Sequence, residues 1–177
     1  MPMIRPSRDD DIPAITAIYA HPLQSGTGTF EIDPPPVVEI AIRRSGVLAR
    51  GLPYLVAEID PQVLGFAYCS WFKPRPAHRF SVEDSVYLAP RAQGAGLGRA
   101  LLAELMARAQ AAGMRKLIAV IGDSRNAASI GLHRSVGFTE VGVLQSCGWK
   151  FGQWLDVVLM ERSLGLGDLA PPPPTRV

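Results

Sequence analysis

Apolar positions along the chain fall into segments of two different periods, and each period predicts an element. Met3-Ile4-Arg5 reads as a short first strand. Asp9, Asp10 and Asp11 then offer N-cap and first-turn carboxylates for a helix through Ile12, Ile15, Ala17 and Ile18, with Pro13 tolerated near its start. From Pro22 to Pro36 glycine, proline, serine and threonine dominate, which predicts a long loop of the kind that often binds ligands. A second helix is predicted over 37–45. Three strand-length apolar segments follow at 54–59, 63–71 and 80–88, the first two joined by a turn that begins Asp60-Pro61, so together they read as a meander.

Leu97, Leu101, Leu102, Leu105, Met106 and Ala109 recur at helical spacing, and Gly113 supplies a stop after Ala112. The segment 116–121 ends in the continuous apolar run Leu-Ile-Ala-Val-Ile, which predicts a strand buried on both faces. A helix over 126–136 closed by Gly137, and long strands over 139–150 and 154–162, complete the pattern. Helices on both sides of a mixed sheet are implied, without an internal repeat. The tail from Leu166, with four prolines at 171–174, lacks apolar periodicity and reads as disordered or extended. The predicted organisation is one domain over 1–165 and a proline-rich tail over 166–177.

Composition narrows the function classes. At 177 residues and 47% hydrophobic the chain can bury the core of one domain. Its net charge of +2 forms no basic stripe, so nucleic acid is not the expected partner. No apolar run is long enough to span a bilayer, and the first residues lead straight into charge, so a cytoplasmic location without a membrane anchor is expected. Cys69 and Cys147 have neither CxxC nor Cys/His spacing, so no metal site and no disulfide framework is expected.

The first chemical signal lies between the third strand of the meander and the helix from Leu97: Arg91-Ala92-Gln93-Gly94-Ala95-Gly96-Leu97-Gly98-Arg99. A glycine-rich turn at a helix start exposes N–H groups that no helical carbonyl satisfies, at the positive end of the helix dipole, and so attracts phosphate. Arg99 is a first-turn cation, unfavourable unless an anion lies nearby, and Arg91 can serve the same anion. The competing reading is a flexible turn with a solvated arginine. A Walker A loop is absent, and glycines at 94, 96 and 98 do not match Gly-x-Gly-x-x-Gly, which normally opens its domain rather than following a meander.

Gln93-Gly94-Ala95-Gly96-Leu97-Gly98 resembles the Gln/Arg-x-x-Gly-x-Gly/Ala signature with which GNAT acetyltransferases hold the pyrophosphate of acetyl-CoA. Three further stretches, Val82-Glu83-Asp84-Ser85-Val86-Tyr87-Leu88, Asn126-Ala127-Ala128-Ser129-Ile130-Gly131-Leu132-His133 and Lys150-Phe151-Gly152-Gln153-Trp154-Leu155-Asp156, are similar to successive landmarks of the phosphinothricin and methionine sulfoximine acetyltransferase branch. The likeness runs from about Met3 to about Leu164. It implies an α/β (α+β) fold, a mixed and mostly antiparallel twisted sheet flanked by helices, with two parallel strands splayed to admit pantetheine. By the same likeness the backbone of Val86, Tyr87 and Leu88 pairs with pantetheine, residues Gly94 to Arg99 hold the phosphates, Asn126 contacts the coenzyme, and the molecule is a homodimer.

The reaction implied is transfer of acetyl from acetyl-CoA to the α-amino group of an amino acid or analogue such as phosphinothricin, methionine sulfoximine or methionine sulfone, a chemistry associated with antibiotic resistance. An alkylammonium is mostly protonated at neutral pH, so a base has to take its proton. Glu83 matches the family's glutamate, and burial would raise its pKa usefully; otherwise it is a surface carboxylate. Asp84 could share the work, although neighbours on a strand point to opposite faces. His133, where this branch carries histidine, is the candidate acid for the leaving thiolate or part of a proton relay; otherwise it is structural. The N–H of Leu88 is the candidate oxyanion donor. On the acceptor side stand Lys73, Pro74 and Arg75, whose cations suit a carboxylate or phosphinate, with Ser85, Phe30, Glu31 and the 25–29 loop. Lys73-Pro74-Arg75 replaces an Arg-Pro-aromatic run, and Arg134 stands where an acidic residue is common, so the acceptor is less defined than the reaction. Alternatives are another amine (peptide N-terminus, polyamine, aminoglycoside) or a non-catalytic coenzyme sensor. Trp149 and Trp154 read as core or dimer contacts.

Overall fold

A computed structural model describes residues 2–172. Strand β1 (Met3–Pro6) leads through a 3-10 turn at Asp9–Asp11 into helix α1 (Ile12–Ser25), followed by α2 (Val37–Ala49). The meander is β2 (Tyr54–Ile59), β3 (Gln62–Trp71) and β4 (Ser81–Leu88); then come α3 (Leu97–Ala111), β5 (Lys116–Gly122), α4 (Ala127–Ser135), β6 (Thr139–Lys150) and β7 (Gln153–Ser163). The seven strands form one sheet in the order β1-β2-β3-β4-β5-β7-β6. Every neighbouring pair is antiparallel except β4 and β5, which need the α3 crossover to run parallel.

That parallel pair is in register only over Ser81–Glu83 against Lys116–Ile118, so the sheet opens beyond Glu83. Helices pack on both faces of the sheet. On one face Tyr54, Phe66, Tyr68 and Tyr87 form an aromatic wall against Tyr19 of α1, with Tyr19 and Tyr87 edge to face at 4.9 Å. On the other, Leu101 of α3 packs close to Gly65 of β3, and Leu132 of α4 packs close to Gly98 of α3, beside Leu88 of β4. The core joins both sides through Ile15, Leu23, Phe66, Leu101, Leu102, Leu105 and Leu117, all nearly inaccessible to solvent.

Several elements depart from the pattern's expectation. Helix α1 does not end at Pro22 but carries it inside and continues to Ser25, because burial of Leu23 in the core offsets the lost backbone hydrogen bond. Helix α2 runs on from 45 to Ala49, since Val47 is buried and the intervening Gly46 costs only its helix propensity, about 1 kcal/mol. Strand β5 is not buried on both faces: Leu117, Ala119 and Ile121 are buried while Ile118 and Val120 alternate with them at partial exposure, because the opened sheet leaves that side without a partner layer. The start of the tail is ordered in hydrogen-bonded turns, with Gly165 N–H donating to Gln110 and the Arg115 guanidinium donating to the Pro171 carbonyl at 3.2 Å. The last prolines, Pro173 and Pro174, lie outside the described residues.

Candidate active site

Two cavities follow the opening between β4 and β5. The first, about 450 Å³, is lined by Glu83, Asp84, Ser85, His133, Phe30 and Glu31 together with the tyrosines at 19, 68 and 87. The second, about 460 Å³, is lined by Leu88, Gly94, Gly96, Gly98, Arg99 and Asn126. Gly28, Val86, Tyr87 and Ser129 border both, so the two are halves of one continuous groove.

The splay is where strand chemistry becomes a binding surface. Ala89 N–H bonds to the Leu64 carbonyl, so Gly65 and Leu88 form a non-hydrogen-bonded pair, and the N–H and C=O of Leu88 turn away from β3 toward the opening. Strand alternation gives Val86 the same orientation, whereas the backbone of Tyr87 faces β3. Of the three residues expected to offer backbone pairing, Val86 and Leu88 turn their backbone groups to the opening, whereas Tyr87, bonded to β3, lines it with its side chain.

At the far end, Gly94 and Gly96 hold positive φ of 77° and 78°, and Gly96 caps α3. The first helical hydrogen bond runs from Ala100 N–H to the Gly96 carbonyl, which leaves the N–H groups of Leu97, Gly98 and Arg99 without a helical acceptor. Leu97 buries its side chain in the core and Ala95 points to solvent, so neither side chain lines the groove. Arg91 is turned away, donating to Gln62 at 2.6 Å, and is not among the groove residues. Asn126 caps α4 by accepting the Ser129 N–H while it borders the groove.

Glu83 is the last residue paired with β5 and stands at the fork. Burial raises its pKa most, the neighbouring Asp84 charge raises it further, and Lys73 pulls it back in part. Asp84 faces the opposite side of β4, yet both reach the same cavity because that cavity passes through the gap in the sheet. His133, only 4% exposed, places Nε2 2.9 Å from Asp84 Oδ2 and Nδ1 2.7 Å from the Ser129 carbonyl.

A carbonyl only accepts, so Nδ1 carries hydrogen and donates to Ser129. The Nε2–Asp84 contact then needs a second proton, on one partner or the other, and the pair as a unit stores one. Burial alone would lower the pKa of His133, but the hydrogen bond and charge of Asp84, with the Ser129 carbonyl, outweigh it and leave it raised. The sign follows: this pairing stabilises the fold fully below the ordinary histidine pKa and the contribution fades as pH rises through the raised value. In Asp84→Asn the His133 pKa is expected to fall below the ordinary histidine range, which a ¹H–¹³C titration of the ring in the variant and the wild type would read directly.

Phe30 and Glu31 belong to a loop fastened at several points. Thr27 Oγ1 donates to Asp123 Oδ2 at 2.9 Å, Lys150 Nζ donates to the Gly26 and Thr29 carbonyls at 3.1 and 3.0 Å, and Arg43 pairs with Glu31 at 2.6 Å. The ring of Phe30 occupies the space a Cβ at Gly148 would need, so the missing side chain there is what admits it. Lys73, Pro74 and Arg75, by contrast, lie in the exposed β3–β4 connection and line neither cavity, although the charge of Lys73 is felt at Glu83. Cys69 is buried and its thiol pKa is pushed up by desolvation, which keeps it protonated. Sequence reasoning missed Tyr19, Tyr68 and Lys150; the shared parity of Tyr54, Phe66 and Tyr68 in the meander was a legible signal for the aromatic wall.

A mixed sheet split at one parallel pair, with a glycine-capped helix start at one end of the split and a half-buried carboxylate at its fork, defines the acyl-coenzyme-binding class of fold. The chain belongs to the Acetyltransferase (GNAT) family, whose profile matches residues 15–138. It is 54% identical to a phosphinothricin N-acetyltransferase of Alcaligenes faecalis over 96% of this chain and 86% of that protein. It is 40% identical to an L-methionine sulfoximine/L-methionine sulfone acetyltransferase of Pseudomonas paraeruginosa, over 91% and 94% respectively. The crystal structure of a phosphinothricin acetyltransferase from Sinorhizobium meliloti in complex with AcCoA superposes with a TM-score of 0.94 at 44% identity, covering 97% of this chain and 92% of that one.

Proposed function

We propose that this acetyltransferase uses acetyl-CoA to acetylate the α-amino group of a small amino acid or analogue of the phosphinothricin, methionine sulfoximine or methionine sulfone type. The observation that carries the reading is the single groove in which the half-buried Glu83 carboxylate at the fork of β4 and β5 meets a phosphate-suited helix start. The names of the relatives above support the acceptor class. Residues fit the coenzyme: the Leu97, Gly98 and Arg99 N–H groups and the Arg99 side chain suit its phosphates, and Val86 and Leu88 offer strand-like hydrogen bonds to the pantetheine amides. The coenzyme supplies a thioester-activated acetyl group.

Glu83 takes the proton of the acceptor ammonium, directly or through water, and so frees the lone pair that forms the new C–N bond. The Leu88 N–H, aimed into the opening, donates to the carbonyl oxygen as negative charge grows on it. As the C–S bond breaks, the proton held between Asp84 and His133 passes to the departing sulfur. The nitrogen, made acidic by the new C–N bond, gives its second proton to the Asp84–His133 pair through water, and Glu83 releases the proton it accepted to solvent, so one proton leaves for each amide formed.

Among the described residues no lysine or arginine lines the acceptor cavity, whose charged groups other than His133 are Glu31, Glu83 and Asp84. That lining favours an ammonium, and it supports a second reading in which the acceptor is an amine without a carboxylate, such as a polyamine. For an amino acid the carboxylate or phosphinate is placed at the mouth, toward Lys73 and Arg75. Coenzyme-dependent turnover of amino-acid analogues against polyamines separates the readings, and selective turnover of an amino-acid antibiotic would make the chain a resistance enzyme.

The chain is also proposed to be a cytoplasmic homodimer. Among the described residues no helix is long and apolar enough to cross a membrane. Trp149 of the edge strand β6 and Trp154 of its neighbour β7 are not core residues: they are 56% and 61% exposed and meet edge to face at 5.2 Å, with Val141, Val143 and Leu144 exposed along β6. An edge strand with that much apolar surface favours burial against a second copy. Trp154→Glu is expected to convert a dimer to a monomer in light scattering; a wild-type monomer at micromolar concentration would contradict this assignment.

A further inference from the structure

Lys150 is the least economical residue in the described structure: an ammonium side chain in a residue only 4% exposed, with no ion pair to any carboxylate among the described residues. Burying a charge in this way is costly unless its hydrogen bonds do something in return. Its partners are the carbonyls of Gly26 and Thr29, and the ring of Phe151 lies 5.0 Å away. Both carbonyls belong to the loop that carries Thr29, Phe30 and Glu31 to the wall of the acceptor cavity.

From that placement we infer that Lys150 is a positioning residue for the acceptor: its ammonium ties the 26–31 loop to the end of β6 and thereby shapes the acceptor half of the groove. The inference rests on the proposed acetyl transfer for its kinetic consequence, but the anchoring itself does not. Lys150 projects from the last residue of β6, immediately before the tight turn made by Phe151 and Gly152, both at positive φ. The β6–β7 hairpin therefore fixes where the ammonium stands. Phe30 filling the space above Gly148 is a second contact between the same strand and loop, and Thr27 on Asp123 holds the side nearer β5. The coenzyme half is built instead from β4, the glycine turn with the start of α3, and the start of α4, closed by His21 and Pro22 of α1, and of the 26–31 loop it takes Gly28 among the described residues.

Lys150→Met removes the ammonium while keeping an unbranched apolar stem, and Lys150→Gln restores neutral donors to the same carbonyls. In Lys150→Met the acceptor KM is expected to rise about tenfold or more, the scale of losing a charge-assisted hydrogen bond. The coenzyme Kd by calorimetry and kcat should stay within about threefold, since neither depends on the acceptor wall. Lys150→Gln should recover part of the loss. Hydrogen exchange should quicken at amides 26–31 and stay unchanged in α3 and β5; this readout holds whichever amine is the substrate, and it uses Lys150→Gln if the Met variant does not fold. Unchanged exchange at 26–31 would overturn the anchoring. Altered exchange with an unchanged acceptor KM, or a rise in exchange throughout the molecule, would overturn the positioning role. Absence of turnover by the wild type would count against the proposed function alone.

Discussion

Replacing Glu83 with Gln is expected to lower kcat by about 10²- to 10⁴-fold, the usual scale for losing a positioned general base. Coenzyme affinity should be unaffected, because Glu83 lines the acceptor cavity and not the phosphate end of the groove. The variant should also lose the acidic limb of the pH–rate profile. In the wild type that limb lies above the ordinary glutamate range, since burial and Asp84 both favour the neutral acid. Lys73 opposes them, so Lys73→Met should move the limb to still higher pH, slowing the enzyme at acidic pH while leaving the alkaline plateau in place. A Glu83→Gln enzyme with unchanged kcat and an unchanged acidic limb would remove Glu83 from the chemistry.

Gly96→Glu should all but abolish coenzyme binding, with a loss in affinity of about 100-fold or more from placing like charge against the phosphates. Two effects combine at this position. Gly96 holds a φ of 78°, where a residue with a Cβ is strained by roughly 1–2 kcal/mol, and nothing lies within 4 Å of a built Cβ, so a larger side chain would project freely near the groove. Gly96→Ala carries the strain without the charge. Its affinity loss by calorimetry should therefore be much smaller than that of Gly96→Glu; equal losses would mean that backbone conformation, and not phosphate recognition, sets the requirement for glycine.

The chain's local patterns were most informative where one period dominated. The α3 spacing of Leu97, Leu101, Leu102 and Leu105 and the position of the glycine turn ahead of it were plain in the residues, because a helix stripe and a cap are local. Order along the chain likewise placed Glu83 and His133 on separate elements. That they share one cavity was not legible, because it depends on β4 and β5 parting after three residue pairs, a non-local event. The Asp84–His133 proton pair was hidden for the same reason: 49 residues separate them, and strand alternation alone argues against Asp84 reaching the cleft that Glu83 faces. Lys73 and Arg75 suit an anionic acceptor by their chemistry and by resemblance, yet they lie exposed in the β3–β4 connection, outside the cavity walls. Nothing local to Lys150 marks it as buried, since its partners are carbonyls of the 26–31 loop, more than 120 residues away along the chain.

Thiol release from acetyl-CoA by the purified chain, measured against phosphinothricin, methionine sulfoximine, methionine sulfone, free amino acids, polyamines, aminoglycosides and short peptides, tests the central assignment most directly. The account predicts a strong signal confined to the amino-acid analogues, with the acetylated α-amine as product and loss of that signal in Glu83→Gln. Coenzyme binding without acceptor-dependent thiol release for any of these amines, or turnover only of polyamines, would contradict it.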